Sequence, residues 1–162
     1  MMKASDLSQD QYQSFPEFAR YGIDLSLTHA DVVLTLQAIR AAGGFAIYPG
    51  PRQSNWGRSY GSETSRHYAV GRLSDAGDVF PARGHVLDFW LIAQEFLKVG
   101  ALGLYLDTRG IDGQPWVMVH FDLREYDRRV MWIRDGDYVY LHNEPNMFWV
   151  RMDRVAERDM KR

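Results

Sequence analysis

Apolar and polar positions alternate along this chain with two clear periods. From Val32 the apolar residues Val32, Val33, Leu36 and Ile39 recur at helical spacing. Thr28 with Asp31 three residues later supplies a capping-box start, and Gly43-Gly44 a stop. A second helical stripe, Val86, Phe89, Trp90, Ala93, Phe96 and Leu97, predicts a helix over about 85–98 that ends at Gly100. Strand-like runs lie at Phe45–Tyr48, 101–106 and 116–123, the last two separated by a turn at 109–113. Val130–Arg134 and Tyr138–Leu141 flank Asp135-Gly136-Asp137, a hairpin signature. Residues 1–22 are polar with scattered aromatics and read as an arm, and the stretch 150–162 alternates charge and reads as a solvated helix. Between the first strand and about residue 66 the chain is rich in Gly, Ser, Pro and Asn. This long irregular loop is of the kind usually kept for function. The order predicts an α+β fold in one domain spanning 1–162, with a small antiparallel sheet and helices packed on one face.

Composition narrows the chemistry. With 162 residues, 46% hydrophobic and 25% charged, the chain can bury a core without staples. A net charge of −2 argues against a general nucleic-acid binder. No cysteine is present, so any metal site must be built from histidine and carboxylate. No apolar run reaches the length of a membrane span, and the amino terminus lacks the apolar stretch of a secretory signal. Synthesis in the cytoplasm is the expectation, with release by lysis or incorporation into a particle as routes that need no signal.

Two segments carry candidate chemistry. In 116–123, Val117, Val119, Phe121 and Leu123 share one apolar face, while Trp116, Met118, His120 and Asp122 share the other. A histidine and an aspartate two residues apart thus project together from a rigid element, either as part of a site or as a hydrogen-bonded pair on an outer sheet face. In 65–80, His67 follows the loop, and Asp75 and Asp78 lie within reach of a returning turn. Convergence of the two segments would supply the three nitrogen or oxygen ligands of a catalytic zinc site. His29, His85 and His142 have no partner at ligand spacing, and there is no phosphate loop, nucleophile elbow or HExxH motif.

Ser65-x-His67, a glycine, an aspartate opening a strand and, far downstream, the strand Val119-His120-Phe121-Asp122 resemble the M15 zinc peptidases. These are the D-Ala-D-Ala carboxypeptidases and L-Ala-D-Glu endopeptidases, including phage-derived domains. The resemblance covers roughly residues 28–134 and implies the Hedgehog/D-Ala-D-Ala-peptidase fold. It also implies a Zn2+ ion held by His67, one aspartate and His120, and activity on peptidoglycan peptides. The family spacing would place the aspartate at Ser74; Asp75 is nearest, but Asp78 fits the pattern of an aspartate leading an apolar strand before a proline and is favoured as ligand, with Asp75 as the alternative. The acidic residue that such enzymes place three before the last histidine is replaced here by Val117. Asp122 is then the candidate base or imidazole-orienting partner, with Asp75, Glu63 and Asp107 as other carboxylates that could reach in. Arg52 is the candidate for neutralising a substrate carboxylate, a role open also to Arg58 and Arg72. Arg72 and Trp116 are the candidate substrate-binding residues, and Trp56 and Tyr60 could line a groove. The missing acid supports a second expectation, a non-catalytic structural or wall-binding domain on the same scaffold, with phage particle proteins as partners.

Overall fold

The computed structural model describes residues 2–7, 25–50, 56–110 and 112–161. Helix α1 (Ala30–Gly43) starts one residue later than the capping box predicts. His29 is its N-cap, with Nδ1 accepting the Asp31 N–H at 3.0 Å. Thr28 cannot serve, because it is buried in a parallel bridge with Ser74. Gly44 ends the helix in the left-handed conformation, donating its N–H to Arg40. Strand β1 (Ile47–Pro49) leads into the long loop, and β2 (Ala76–Pro81) follows it.

Helix α2 (Val86–Gln94) is shorter than its apolar stripe. Beyond it the Arg129 guanidinium collects the carbonyls of Gln94, Phe96 and Val99 at 2.8–3.2 Å, and Leu97, expected in the core, stands in solvent. Strands β3 (Ala101–Tyr105), β4 (Met118–Asp122), β5 (Val130–Asp135) and β6 (Asp137–Tyr140) complete one sheet in the order β1-β2-β4-β3-β5-β6. The sheet is mixed, not antiparallel throughout. Strand β4 occupies the place between β2 and β3, so the chain returning from β4 reaches the far side of β3 and runs parallel to it. The β5–β6 hairpin forms as predicted around Gly136, at φ +83°.

Helix α3 (Pro145–Met160) is amphipathic rather than wholly solvated, burying Phe148, Met152 and Val155. Its Asp159 carboxylate accepts the N–H groups of Gly84 and Val86 at 2.9 Å each, capping the start of α2 from a distant part of the chain. One apolar cluster joins all three helices to Val79, Leu102, Leu104, Val119, Phe121, Ile133 and Val139 on a single face of the sheet. Alternation turns Asp78, Tyr105, Met118, His120, Asp122, Trp132, Arg134, Tyr138 and Tyr140 to the opposite face.

Candidate metal centre

The face opposite the described helices carries a cleft of about 670 Å³. Its floor is formed by β2, β4, β3, β5 and β6, and its lip by residues 58–67. The β2–β4 register pairs Asp78 directly with His120, placing Asp78 Oδ1 2.9 Å from His120 Nδ1. His67 arrives from the loop. The Arg58–Tyr68 bridge fixes its backbone, with Arg58 donating to the His67 carbonyl at 2.9 Å and Ala69 to that of Arg58 at 2.7 Å. His67 Nε2 then stands 3.1 Å from His120 Nδ1 and 3.5 Å from Asp78 Oδ1. All three residues are buried.

The far nitrogen of each ring settles its tautomer. His67 Nδ1 lies 3.1 Å from the Trp56 carbonyl, which can only accept, so Nδ1 carries the hydrogen and Nε2 turns a lone pair to the cluster. His120 Nε2 lies 3.1 Å from the Asp122 carboxylate, which likewise takes its N–H and leaves Nδ1 free to coordinate. Asp122 is in turn held by Arg124, whose Nε donates at 2.7 Å and Nη2 at 2.5 Å. Arg124, Asp122 and His120 form a chain of charge-assisted contacts that aims one lone pair.

Two imidazole lone pairs and a carboxylate oxygen therefore meet with edges of 2.9, 3.1 and 3.5 Å. Ligands about 2.0–2.1 Å from a tetrahedral ion stand roughly 3.3 Å apart, so the donor set fits a divalent cation. Among the described residues this is the one group of three or more histidine, aspartate or glutamate side chains gathered for such an ion. Without a metal, a proton between His120 and Asp78 holds the cluster together. Burial works against ionising Asp78, yet the charge of His67 and the hydrogen bond and charge of His120 hold its carboxyl well below the usual range. Burial also opposes the His120 imidazolium, but hydrogen bonds to Asp122 and Asp78 outweigh it and raise that ring to about 9. Asp122, against the same penalty, is held low by His120 and Arg124.

The other sequence candidates fall in different places. Asp75 is ion-paired with Arg66 away from the cluster, and the hydroxyl of buried Ser74 lies 3.0 Å from the Arg66 carbonyl. Asp122 sits behind His120, 3.1 Å from its Nε2, with its side chain fully buried and outside the cleft wall. Val117 is in the core on the opposite face. Arg72 is occupied by the carbonyls of Tyr68 and Ser65, at 3.0 and 2.7 Å, and is absent from the cleft wall. Trp116 is buried outside the cleft, donating to the Pro81 carbonyl at 2.9 Å beneath the Arg83 guanidinium. Trp56 is wholly buried and Tyr60 does not line the cleft. Arg52 lies outside the described residues.

The cleft wall also brings in Tyr105, Arg124, Trp132, Arg134, Tyr138 and Tyr140, none of which the sequence reading placed in a site. The signal was present: strand alternation in β5 and β6 puts Trp132, Arg134, Tyr138 and Tyr140 on one face once the register to His120 is known. Among the described residues, Arg58 is the cleft arginine with no carboxylate partner; Arg66, Arg124 and Arg134 pair with Asp75, Asp122 and Asp107. Comparison of the chain with protein-family models, curated proteins and solved structures gives no significant match, so the cluster stands on its own geometry.

Proposed function

We propose that this chain is a zinc-dependent hydrolase acting on amide bonds in the peptides of peptidoglycan, with His67, Asp78 and His120 as the zinc ligands. The observation that carries the reading is the pair of fixed tautomers. Both imidazoles turn one nitrogen outward, to the Trp56 carbonyl and to Asp122, and the other toward one carboxylate oxygen, where a cation can take the place of the proton. A three-ligand site opening on a cleft is what catalytic zinc requires, whereas structural sites are closed by a fourth protein ligand. When bound there, zinc supplies Lewis acidity toward a carbonyl and makes water acidic enough to ionise near neutral pH.

The chain's own residues would do the rest. Asp122 and Arg124 hold the His120 ring in place, so the ligand set is organised in advance. Arg58, free of a carboxylate and linked to the His67 segment, would receive an anionic group of the peptide. The half-buried Tyr105 phenol, whose ionisation is suppressed by desolvation and by nearby Asp78, stays protonated and keeps an O–H to donate.

One observation favours a second reading, a wall-binding domain that holds metal without turnover. Apart from Asp78, no carboxylate among the described residues lines the cleft, and Val117 occupies the place of the family's acid. The test is metal analysis of the purified chain together with a muropeptide digest. Stoichiometric zinc that is lost in His67→Ala and His120→Ala, with new peptide products from the unaltered chain, supports the hydrolase. Zinc without products selects the binding domain, and a chain that takes up no metal overturns both.

A further inference from the structure

From the metal cluster a row of rings crosses the sheet to its edge. The register aligns Asp78, His120, Gly103, Trp132 and Tyr140 side by side on β2, β4, β3, β5 and β6. Gly103 makes the row possible: a Cβ there would lie 2.2 Å from Trp132 Cε2 and 2.4 Å from Nε1, so the indole rests directly on the glycine backbone. Its ring centroid is 5.3 Å from that of His120 and 6.2 Å from that of Tyr140. In the next row Tyr105, Arg134 and Tyr138 are aligned, with the Arg134 guanidinium 5.5 and 5.7 Å from the two ring centres and tied to Asp107 at 3.0 Å. Tyr138 is 46% exposed and Tyr140 half-buried, so the outer end of this wall is open to a ligand while Trp132 is buried at its foot.

We propose that this aromatic wall is a saccharide subsite. The cleft takes a peptide still attached to glycan, with pyranose rings against Tyr138 and Tyr140 and the peptide over His67, Asp78 and His120. The proposal rests on the hydrolase reading for the identity of its substrate. Aromatic faces are electron-rich, so they attract the weakly positive C–H face of a pyranose, while the sugar hydroxyls turn toward polar groups at the ring edges. Phenol hydroxyls and an anchored guanidinium supply those groups here. The dimensions point the same way. The wall extends three inter-strand steps beyond His120, roughly 14 Å at about 4.8 Å per step. An extended dipeptide spans only about 7 Å, so the substrate continues well past the residues that flank a scissile bond.

The experiment is calorimetric titration of the full chain, zinc-loaded and chelator-treated, with a tetramer of β-1,4-linked N-acetylglucosamine. In parallel, the chain is assayed for hydrolysis of a sugar-free wall peptide. The tetramer is expected to bind both forms. Tyr140→Ala and Tyr138→Ala should each weaken it about tenfold, the loss of one stacked ring, while Tyr140→Phe retains binding and circular dichroism shows all variants folded. No saturable binding, affinity unchanged in both alanine variants, or binding of a single-stranded oligonucleotide in place of the sugar would overturn the subsite. Tyr-dependent sugar binding without peptide hydrolysis would leave the subsite standing and remove the hydrolase. Hydrolysis without sugar binding would do the reverse.

Discussion

At the residue scale the proposed chemistry turns on His120, which without metal holds a proton where the proposed cation would sit. Its ring is raised to about 9 by Asp122 and Asp78, so at neutral pH metal uptake must displace that proton. Zinc affinity is therefore expected to fall about tenfold for each unit of pH below about 9. Calorimetry in buffers of different ionisation enthalpy should count about one proton released per ion. In metal-free protein the same groups shape stability. A raised histidine contributes fully below its unfolded value of about 6.5 and loses the contribution as pH rises through about 9. The depressed carboxyls of Asp78 and Asp122 contribute above their unfolded value of about 3.9 and lose it as pH falls toward their lower folded values. Urea midpoints of chelator-treated protein should hence peak between about pH 5 and 7 and decline on both sides. Asp122→Asn keeps the shape but removes the charge that binds both His120 and Arg124. It should cost about 10–100-fold in zinc affinity, read by competition with a chromophoric chelator.

At the element scale, the sequence was most legible where one period ran uninterrupted. Strand β4 gave up its two faces by simple alternation, so His120 and Asp122 could be assigned a common side before any partner was known. The β5–β6 hairpin was legible from Asp135-Gly136-Asp137 because a positive φ is needed there. Other features depended on contacts distant in the chain. Neither the N-cap passing from Thr28 to His29 nor the end of α2 at Gln94 is set locally: a bridge to Ser74 decides the first, and Arg129 completes the second. The parallel β3–β5 pairing follows from strand order, which periodicity does not encode. Likewise alternation put the aromatic residues of β5 and β6 on one face, but their approach to His120 depended on register. Two substitutions probe these long-range terms. Gly103→Ala forces a methyl into the Trp132 indole and should destabilise by about 1–3 kcal/mol, with an altered near-ultraviolet spectrum as Trp132 leaves His120. Asp159→Ala leaves the Gly84 and Val86 N–H groups without their acceptor and should cost about 1–2 kcal/mol in urea unfolding without touching zinc affinity.

At the scale of the whole molecule, the helices and the cleft occupy opposite faces of one sheet, so the core can be satisfied independently of the site. The segment around His67 is joined to the sheet's open face through the His67 contacts with His120 and Asp78, and to its own neighbours through the Arg58–Tyr68 bridge, the Trp56 carbonyl and the Arg66 contacts with Ser74 and Asp75. A bound ion would clamp two distant parts of the chain, residue 67 from the loop and residues 78 and 120 from the paired strands, a sequence separation of 53 residues for the two histidines. An ion that binds only the folded chain stabilises it by about 2.7 kcal/mol when present at 100 times its dissociation constant. For a chain of this length each kcal/mol moves the melting temperature by about 2–4 °C, so zinc should raise Tm by roughly 5–11 °C and a chelator should reverse the shift. His67→Ala removes the loop ligand while leaving Asp78 and His120 on their strands, and it should abolish most of that metal-dependent increment. The chelated forms of the two proteins should melt within a few degrees of each other, because the core on the helical face is untouched. Differential scanning calorimetry of both proteins with and without zinc separates the two contributions. An equal metal response in the variant would mean that the loop is not part of the clamp.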